Sequence, residues 1–417
     1  MGLQLDSESV DMIKSLIENA TADQKRDIPG VYACVASKDG DVLLSHAAGK
    51  AGVNSDEPMT PETVFWIASC TKLVVAIAAM QLVEQGLMSL DDPARLEEIC
   101  PELKNVPLIK EVTAIGGLLL VPKKNRMTLR QLLTHTAGFG HTFNDQAVRI
   151  WGEMFSIDKY GGDAADVLQP LKFEPGTGWM YGAGYEWVGK SITRVSGLKL
   201  NDYITQNILE PLGITDVSII PTGNMKKHLV KMSYRLPDGT VIGIDHYLKD
   251  SLSDDASALR PVYHSAGAGL FAAPAEYCKI LMAIANDGAC AIRGTRILEK
   301  ESVDEMFKNQ VPDIPYFGAT NFVSVRHELS NQVEELFPQS GKPQGWGITG
   351  RLNLHDTDQG RSAGSTSWAG LANLYWWVDR ETGIVGFVCA QLIPFLDAKV
   401  LKLWMDVEEA VYKGLIK

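Results

Sequence analysis

Basic residues, long apolar runs and paired cysteines are all in short supply in this 417-residue chain. Lys and Arg number 39 against 51 Asp and Glu, which gives a formal net charge of −12. Interfaces with polyanions rest on clustered basic side chains, and a bilayer span needs ~20 consecutive apolar residues. We therefore expect neither a nucleic acid nor a membrane among its partners.

Metal-ligand and cofactor patterns are also missing. The six cysteines form no CxxC pair and have no histidine close by, which is typical of a reduced intracellular protein without structural zinc. His135 and His141 have no Asp or Cys at ligand spacing. The glycine-rich run at 264–274 does not follow a strand, as a nucleotide fingerprint would. We expect no metal and no cofactor.

The first residues, MGLQLDSESVDMIK, carry acidic side chains where a secretory signal has a basic head and an apolar run. This composition predicts a cytoplasmic protein. The same segment begins an amphipathic helix that we predict over residues 7–26.

Strand-like segments lie at both ends of the chain, and helical segments lie between them. Near the start, two β-rich runs within residues 30–49 meet at Asp39-Gly40, a dipeptide that favours a hairpin turn. Helical patterns dominate from residue 69 to about 300, including a helix from 129 with Thr128 as its N-cap. Strand patterns then return within residues 345–354, 366–379 and 383–393, before a final helix over about 397–413.

This order predicts an α/β (α+β) fold in which one antiparallel sheet is built from both chain ends. Helices from the two termini would flank the sheet, and a large, mainly helical segment would be inserted. We place the discontinuous sheet domain at residues 1–88 and 335–417. The helical domain, with loops that cover an active-site cleft, would be residues 89–334.

The stretch WIASCTKLVV sets Ser69 and Lys72 three residues apart, directly before an apolar segment that runs from Leu73 to Met80. A helix that is apolar on every face is a buried helix. Ser69 would lie at its first turn, where free N–H groups and the helix dipole favour an oxyanion. Lys72 would share that face, and burial would favour the neutral amine that takes a proton from serine.

Four-residue patterns of this kind recur by chance, so a serine N-cap followed by an incidental lysine is an alternative interpretation. A second motif, EPGTGWMYGAGYEWVGKS at residues 174–191, favours chemistry. It presents Tyr181 from a glycine-rich turn, where the phenol would complete a proton relay with the serine and the lysine. Packing of Tyr181 in the core beside Trp179 and Trp187 is the alternative.

The chain resembles the serine β-lactamase and penicillin-binding superfamily in four motifs, Ser69-Cys70-Thr71-Lys72, LLTHTAG (132–138), PGTGWMYG (175–182) and SWAG (367–370). It is most similar to the class-C-like (family VIII) esterases and the fungal transesterases, in particular the acyltransferases that esterify the side chain of statins. The resemblance covers essentially the whole chain and implies a β-lactamase/transpeptidase-like fold.

The resemblance also implies an acyl-enzyme mechanism. In it, Ser69 is the nucleophile and Lys72 the proton acceptor beside it. Tyr181 is the general base and acid that carries the proton to the leaving group and the acceptor. The oxyanion hole would be formed by the backbone N–H groups of Ser69 and Leu371.

Departures from the family pattern bear on the substrate. Where β-lactamases carry Tyr-x-Asn, this chain has Ala183, and where they carry Lys-Thr-Gly it has Trp368-Ala369-Gly370. Loss of that lysine removes an anchoring charge for a β-lactam carboxylate, so we expect β-lactam hydrolysis at most as a side activity. Trp368 is either an apolar wall for an acyl chain or a core residue. The substrate-binding residues suggested in this way are Trp368, Ala369, Gly370, Gly184 and Phe395, the last in a place where the statin acyltransferases have Trp.

Two enzymatic functions remain open. One is a serine acyltransferase (transesterase) of specialised metabolism that moves an acyl group from a thioester or ester donor, including a CoA or acyl carrier protein thioester, to a small-molecule hydroxyl or amine. The other is a carboxylesterase that hydrolyses small esters. A non-catalytic binding protein is a third interpretation, and the retained Ser69, Lys72 and Tyr181 argue against it. The closeness of the resemblance favours the acyltransferase.

Overall fold

The computed structural model describes residues 2–155, 168–254, 262–317, 324–331, 342–348 and 350–416. Within these ranges the helices are α1 Ser7–Ala20, α2 Thr71–Glu84, α3 Pro93–Ile99, α4 Leu129–Leu133, α5 Gln146–Met154, α6 Gly184–Ser196, α7 Leu200–Ile204, α8 Glu210–Leu212, α9 Gly223–Lys227, α10 Lys249–Leu252, α11 Pro274–Ala285, α12 Lys300–Met306 and α13 Ala398–Lys413. Short 3-10 turns lie at Ala68–Cys70 and Pro101–Asn105, and a π-helical turn, Thr205–Leu209, joins α7 to α8.

The strands in the same ranges are β1 Gln4–Leu5, β2 Gly30–Ser37, β3 Val42–Gly49, β4 Phe65–Trp66, β5 Pro107–Val112, β6 Leu118–Pro122, β7 Val217–Ser218, β8 Ser233–Arg235, β9 Val241–Gly243, β10 Phe271–Ala272, β11 Gly345–Trp346, β12 Arg351–Leu352, β13 Thr366–Gly370, β14 Leu374–Asp379, β15 Ile384–Cys389, β16 Leu392–Ile393 and β17 Leu415–Ile416.

A seven-stranded antiparallel sheet, in the order β11-β12-β13-β14-β15-β2-β3, forms the largest layer of the described structure. Its strands come from both ends of the chain, since β15 pairs with β2 and sets Phe387 opposite Cys34. The predicted hairpin between β2 and β3 turns at Gly40, whose φ of +101° favours glycine. The predicted fold class and the sheet built from both termini are confirmed.

Helices cover both faces of this sheet. Adjacent residues on a strand point to opposite faces, and Phe387 packs on Tyr277 of α11 with ring centroids 4.8 Å apart. On the other face, Trp404 of α13 stacks on Tyr375, the cross-strand partner of Val388. α1 packs against α13 and β3. The terminal helices therefore flank the sheet as predicted, and α11 covers the face opposite α13.

The division into two domains stays a prediction. The boundary between residues 334 and 335 lies outside the described residues. α11 belongs in sequence to the predicted insertion, residues 89–334, and it packs on β2, β14 and β15. The sheet therefore takes one of its covering helices from the middle of the chain.

A small three-stranded sheet joins distant parts of the chain. In it, β10 lies between β4 and β7, and Phe271 is opposite Trp66. β4 leads into the 3-10 turn that contains Ser69, and β10 follows the loop 263–270. Their pairing therefore sets this turn and this loop side by side.

The first helix is shorter than predicted. The expected helix over residues 7–26 ends at Ala20 because Thr21 folds back onto the preceding turn. Its hydroxyl lies 3.0 Å from the carbonyl of Ile17 and 3.2 Å from that of Glu18, and donates to them. These contacts satisfy carbonyls that the next helical turn would otherwise use.

The segment predicted as mainly helical also contains strands. β5 pairs with β6, and β8 pairs with β9. In the first hairpin, Ile109, Leu118 and Leu120 pack against Ala147 and Val148 of α5. This small apolar cluster, separate from the main core, gives the hairpin the helix contact that an isolated two-stranded hairpin needs for stability.

α2 is the buried helix that the sequence predicts. All residues from Thr71 to Leu82 are less than a tenth exposed. The chain leaves the helix at Gly86, whose φ of +70° is the left-handed conformation common after helix ends. Among the described residues, no helix combines the length and the apolar character needed to cross a membrane.

Gly386 of β15 provides a test of the packing in the main sheet. A Cβ at this position would come 2.1 Å from two carbons of the Trp377 ring. We expect Gly386→Ala to lower the free energy of unfolding by about 2 kcal/mol, the scale of overpacking in a filled core. Urea unfolding measures the change. Gly223→Ala, with open space at its Cβ position, is the control and should stay within about 0.5 kcal/mol of wild type; equal losses in both variants would contradict the packing.

Candidate active site

Ser69 lies in the 3-10 turn Ala68–Cys70, just before α2 and not in its first turn as predicted. Ala68 has a φ of +45°, a left-handed conformation that is costly for a residue with a side chain. The hydroxyl of Tyr277 donates to the carbonyl of Cys70 at 2.9 Å and helps to hold the turn. Ser69 is the partly exposed member of a turn whose other residues are buried.

Lys72 is buried on the first turn of α2 and faces the serine. Its Nζ lies 3.1 Å from Ser69 Oγ and donates to the carbonyl of Gly267 at 2.8 Å. Burial lowers the pKa of Lys72 from 10.5 to about 7, and the negative charge of Glu186 opposes this shift. At neutral pH much of the lysine is therefore a neutral amine, the form that accepts a proton from serine.

Tyr181 reaches the same point from the loop before α6. Its hydroxyl hydrogen-bonds the side chain of Ser69 and accepts the indole N–H of Trp368 at 3.1 Å. The Lys72 Nζ lies 4.8 Å from the centre of its ring. Burial raises the pKa of Tyr181, so the side chain is a neutral phenol at neutral pH. This form suits proton donation better than the general-base role that the family resemblance implies.

In the structure Lys72 Nζ donates to both Ser69 Oγ and the Gly267 carbonyl. An indole N–H only donates, so Trp368 engages one lone pair of the Tyr181 oxygen. When Lys72 is neutral, its lone pair is available to accept the Ser69 proton, and rotation of the serine hydroxyl towards the amine gives the arrangement that this transfer requires.

The loop that carries Tyr181 is held by the segment 135–144. His135 Nδ1 accepts the N–H of Gly182 at 3.2 Å, and the Asn144 side chain donates to the carbonyl of Tyr181 at 2.7 Å. The His135 ring also packs on the Tyr181 ring, with centroids 4.5 Å apart. His135 belongs to the LLTHTAG motif and is not expected to bind a metal, and in the structure it supports the loop that carries Tyr181.

Strand β13 brings Trp368-Ala369-Gly370 against the turn that contains Ser69. A Cβ on Gly370 would come 2.5 Å from the carbonyl oxygen of Ile67. A side chain at this position would therefore push the strand away from the serine. Leu371 follows directly, and an oxyanion hole formed by the N–H groups of Ser69 and Leu371 stays a prediction.

Trp368 combines the two interpretations that the sequence leaves open. It is buried, and its ring centroid lies 4.6 Å from that of Trp346 and 4.9 Å from that of Tyr181. Its N–H also donates to Tyr181, a role that the sequence analysis does not predict. Tryptophan in place of the lysine of β-lactamases thus keeps a hydrogen-bond donor beside the tyrosine and removes a positive charge.

Two other predicted substrate contacts lie at packing positions. Gly184 begins α6 and lies against α4, where a Cβ would come 2.8 Å from the carbonyl of Leu132. Phe395 is buried and stacks on Tyr375, with ring centroids 6.1 Å apart. Contact of either residue with a substrate stays a prediction.

Sequence reasoning missed a buried carboxylate and a loop carbonyl. Glu186 lies on α6, five residues after Tyr181, and is 6% exposed. Gly267 supplies the carbonyl that accepts from Lys72. The sequence pattern that could have indicated Glu186 is an acidic residue between Tyr185 and Trp187, because a charge among buried aromatic residues needs a specific partner.

The fold and this site together define a protein of the β-lactamase and transpeptidase class. The chain belongs to the beta-lactamase family, whose sequence profile matches residues 13–399. The family predicted from the motifs is therefore confirmed over almost the whole chain.

Similar proteins include esterases and acyltransferases of fungi. Lovastatin esterase of Penicillium rubens is 30% identical over 90% of this chain and 91% of its own length. Monacolin J acid methylbutanoyltransferase of Aspergillus terreus is 28% identical over 99% of this chain and 98% of its own. Among solved structures, a mutant of simvastatin synthase from Aspergillus terreus superposes with a TM-score of 0.83 at 26% identity, covering 98% of this chain and 95% of that one. The predicted resemblance to the fungal transesterase group is confirmed.

The lowered pKa of Lys72 predicts a specific dependence of stability on pH. The folded protein releases this proton near pH 7, whereas the unfolded chain holds it up to the ordinary value of 10.5. Between these values the unfolded state binds more protons, so stability rises with pH. Lys72→Met lacks this titration, so the comparison uses the free energy of unfolding of wild type minus that of Lys72→Met. We expect this difference to rise by on the order of 1 kcal/mol per pH unit between about pH 7.5 and 9.5.

Denaturant unfolding at several pH values measures this difference. Lys402→Met is the control for the loss of a lysine, because the Lys402 side chain is 74% exposed; the rise seen with Lys72→Met should exceed any change seen with this variant. A difference for Lys72→Met that does not rise with pH would contradict the lowered pKa.

Proposed function

We propose that this protein is a serine acyltransferase that moves an acyl group from a thioester or ester donor to a hydroxyl or amine of a small molecule. The observation that carries the proposal is the buried hydrogen-bond chain from Trp368 through Tyr181 and Ser69 to Lys72. Such a chain supplies a nucleophile, a base beside it and an acid for the leaving group. Similarity to a methylbutanoyltransferase and a simvastatin synthase supports acyl transfer.

The first step forms an acyl-enzyme. Ser69 Oγ attacks the carbonyl carbon of the donor while its proton passes to the neutral amine of Lys72. The N–H groups of Ser69 and Leu371 stabilise the negative charge on the carbonyl oxygen. The bond to the thiol or alcohol breaks, and Tyr181 donates the proton that this leaving group needs. Lys72 returns its proton to Tyr181, so both side chains regain their starting forms.

The second step follows the same path in reverse. The acceptor takes the place of the leaving group and loses its proton through Tyr181 to Lys72. Its oxygen or nitrogen attacks the acyl carbon, and the ester bond to Ser69 breaks. The serine oxygen recovers the proton from Lys72, which restores the free enzyme.

Trp368 favours an uncharged acyl group. A lysine at this position would add a positive charge for a carboxylate, and the indole offers an apolar ring face and a single N–H that is already donated to Tyr181. We therefore expect β-lactam hydrolysis at most as a side activity.

Hydrolysis of small esters is the second candidate, because a lovastatin esterase is among the similar proteins. Both reactions share the acyl-enzyme and differ in whether water or another acceptor reaches it. Of the four side chains in the hydrogen-bond chain, Ser69 alone is partly exposed. The burial of Lys72 and Tyr181 applies equally to water and to other acceptors, so transfer is preferred here on the similarity to a methylbutanoyltransferase and a simvastatin synthase.

The acyl-enzyme is tested by intact mass. Incubation with p-nitrophenyl butyrate should add one butyryl group to the wild-type protein and none to Ser69→Ala, which lacks the nucleophilic oxygen. Lys72→Ala and Tyr181→Phe should each slow the release of p-nitrophenol by on the order of 10²-fold or more, the scale of general acid–base catalysis.

Tyr32→Phe is the matched control for the loss of a phenol oxygen, since the hydroxyl of Tyr32 bonds Ser45 within the main sheet. It should react at the wild-type rate. Butyrylation of Ser69→Ala, or wild-type rates in the Lys72 and Tyr181 variants, would contradict the mechanism.

Transfer and hydrolysis are separated by their products. With a butyryl thioester of N-acetylcysteamine and a panel of small alcohols and amines, we expect ester or amide to exceed free acid for at least one acceptor, as measured by mass spectrometry. Parallel reactions with butyryl-CoA and with a butyrylated acyl carrier protein test whether a carrier delivers the donor. Predominant free acid with every donor and acceptor would favour the esterase.

A further inference from the structure

The buried carboxylate of Glu186 binds one loop through both of its oxygens. Oε1 accepts the hydroxyl of Ser265 at 2.7 Å and the N–H of Gly267 at 2.9 Å. Oε2 accepts the hydroxyl of Tyr263 at 2.9 Å and the N–H of Ala266 at 3.0 Å. Because two of the four donors are backbone groups, Glu186 determines how the peptide units of this loop are oriented.

The same loop presents a carbonyl to Lys72. Gly267 donates its N–H to Glu186 and accepts from Lys72 Nζ through its oxygen, at 2.8 Å. A Cβ on Gly267 would lie 2.8 Å from Glu186 Oε1 and 3.5 Å from Lys72 Nζ. The separation of Glu186 Oε1 and Lys72 Nζ is therefore at most the sum of these two distances. Because glycine has no side chain, no atom of Gly267 fills the position between them that a Cβ would take.

Among the described side chains near Lys72, Glu186 is the one whose negative charge acts on the amine at neutral pH and raises its pKa. Burial raises the pKa of the neighbouring cysteine and of both neighbouring tyrosines, so these groups are neutral. The other titratable side chains that face Lys72 are Cys70, Tyr181 and Tyr185. Behind them, His135 and His141 pack on Tyr181, Tyr277 bonds the Cys70 carbonyl, and Tyr263 donates to Glu186.

We propose that Glu186 is a positioning residue for the acyl-transfer reaction: it holds the Gly267 carbonyl against Lys72, and its charge keeps the amine basic enough to take the serine proton. The inference rests on the function proposed above and adds a residue to it. Burial alone would leave Lys72 neutral but weakly basic, whereas a base works best when its pKa is close to the working pH. Glu186 restores part of the basicity that burial removes.

The pH dependence of acylation tests this role. In wild type we expect the rate of p-nitrophenol release to fall about tenfold from pH 8 to pH 6, because an amine with a pKa of about 7 is mostly protonated at the lower pH. Glu186→Gln removes the charge and keeps the size of the side chain. We expect its rate to fall less than about threefold over the same range, since the pKa of Lys72 drops when the opposite charge is lost.

The rate of Glu186→Gln at pH 8 should itself be lower than that of wild type. An amide nitrogen only donates, so glutamine cannot accept from both Ala266 and Gly267. The loop must then shift, and the Gly267 carbonyl moves away from Lys72.

A second readout does not depend on catalysis. Lysines labelled with ¹³C at Cε are titrated by NMR without substrate, and the Lys72 signal is assigned by its loss in Lys72→Met. We expect the midpoint of Lys72 to be lower by roughly one pH unit or more in Glu186→Gln, the effect of losing an opposite charge at close range. Glu408→Gln is the control, because Glu408 is also buried and pairs with Arg361 in a separate contact. It should leave the midpoint unchanged.

Unchanged midpoints and an unchanged pH profile in Glu186→Gln would overturn the proposal. If this variant does not fold, Gly267→Ala takes its place, because its methyl group would lie between Glu186 and Lys72. The same downward shift is expected there, and its absence would overturn the proposal in the same way. Failure of the acyltransferase function is recognised separately, by butyrylation of Ser69→Ala, because the NMR midpoints are measured without substrate.

Discussion

The site depends on an amine that is kept out of water beside a serine. Lys72 lies at the start of a helix that is buried on all sides, and burial disfavours the ammonium form. The Gly267 carbonyl and the charge of Glu186 act against that penalty. The balance leaves much of Lys72 as a neutral amine at neutral pH, three residues from Ser69, the proposed nucleophile.

The fold brings three distant segments to this amine and to the serine beside it. The pairing of β4 with β10 sets the turn of Ser69 beside the loop of Gly267. The close contact of Gly370 with the Ile67 carbonyl brings β13, and with it Trp368, to the same turn. The loop before α6 adds Tyr181. The turn of Ser69 therefore packs directly on β13 of the main sheet, which holds the serine beside Trp368, the tryptophan of the proposed relay.

What could be predicted from the sequence is what local geometry decides. Ser69 and Lys72 are neighbours by helical spacing, and the all-apolar stretch after them predicts a buried helix. The contacts of Lys72 with Gly267 and of Trp368 with Tyr181 join residues 195 and 187 positions apart. The spacing of apolar residues in a sequence does not predict contacts between residues so far apart. Tyr181 is predicted from the resemblance of its motif to the family, whereas the roles of the Trp368 N–H and of Glu186 are visible only in the folded structure.

The most direct test of the central claim is a crystal structure of the protein after reaction with an alkyl phosphonate p-nitrophenyl ester, which mimics the tetrahedral intermediate. We predict phosphorus bonded to Ser69 Oγ, Lys72 Nζ and the Tyr181 hydroxyl within hydrogen-bonding reach of that oxygen, and a phosphonyl oxygen between the N–H groups of Ser69 and Leu371. Phosphorus on another residue, or a Ser69 adduct that neither Lys72 nor Tyr181 contacts, would contradict the account.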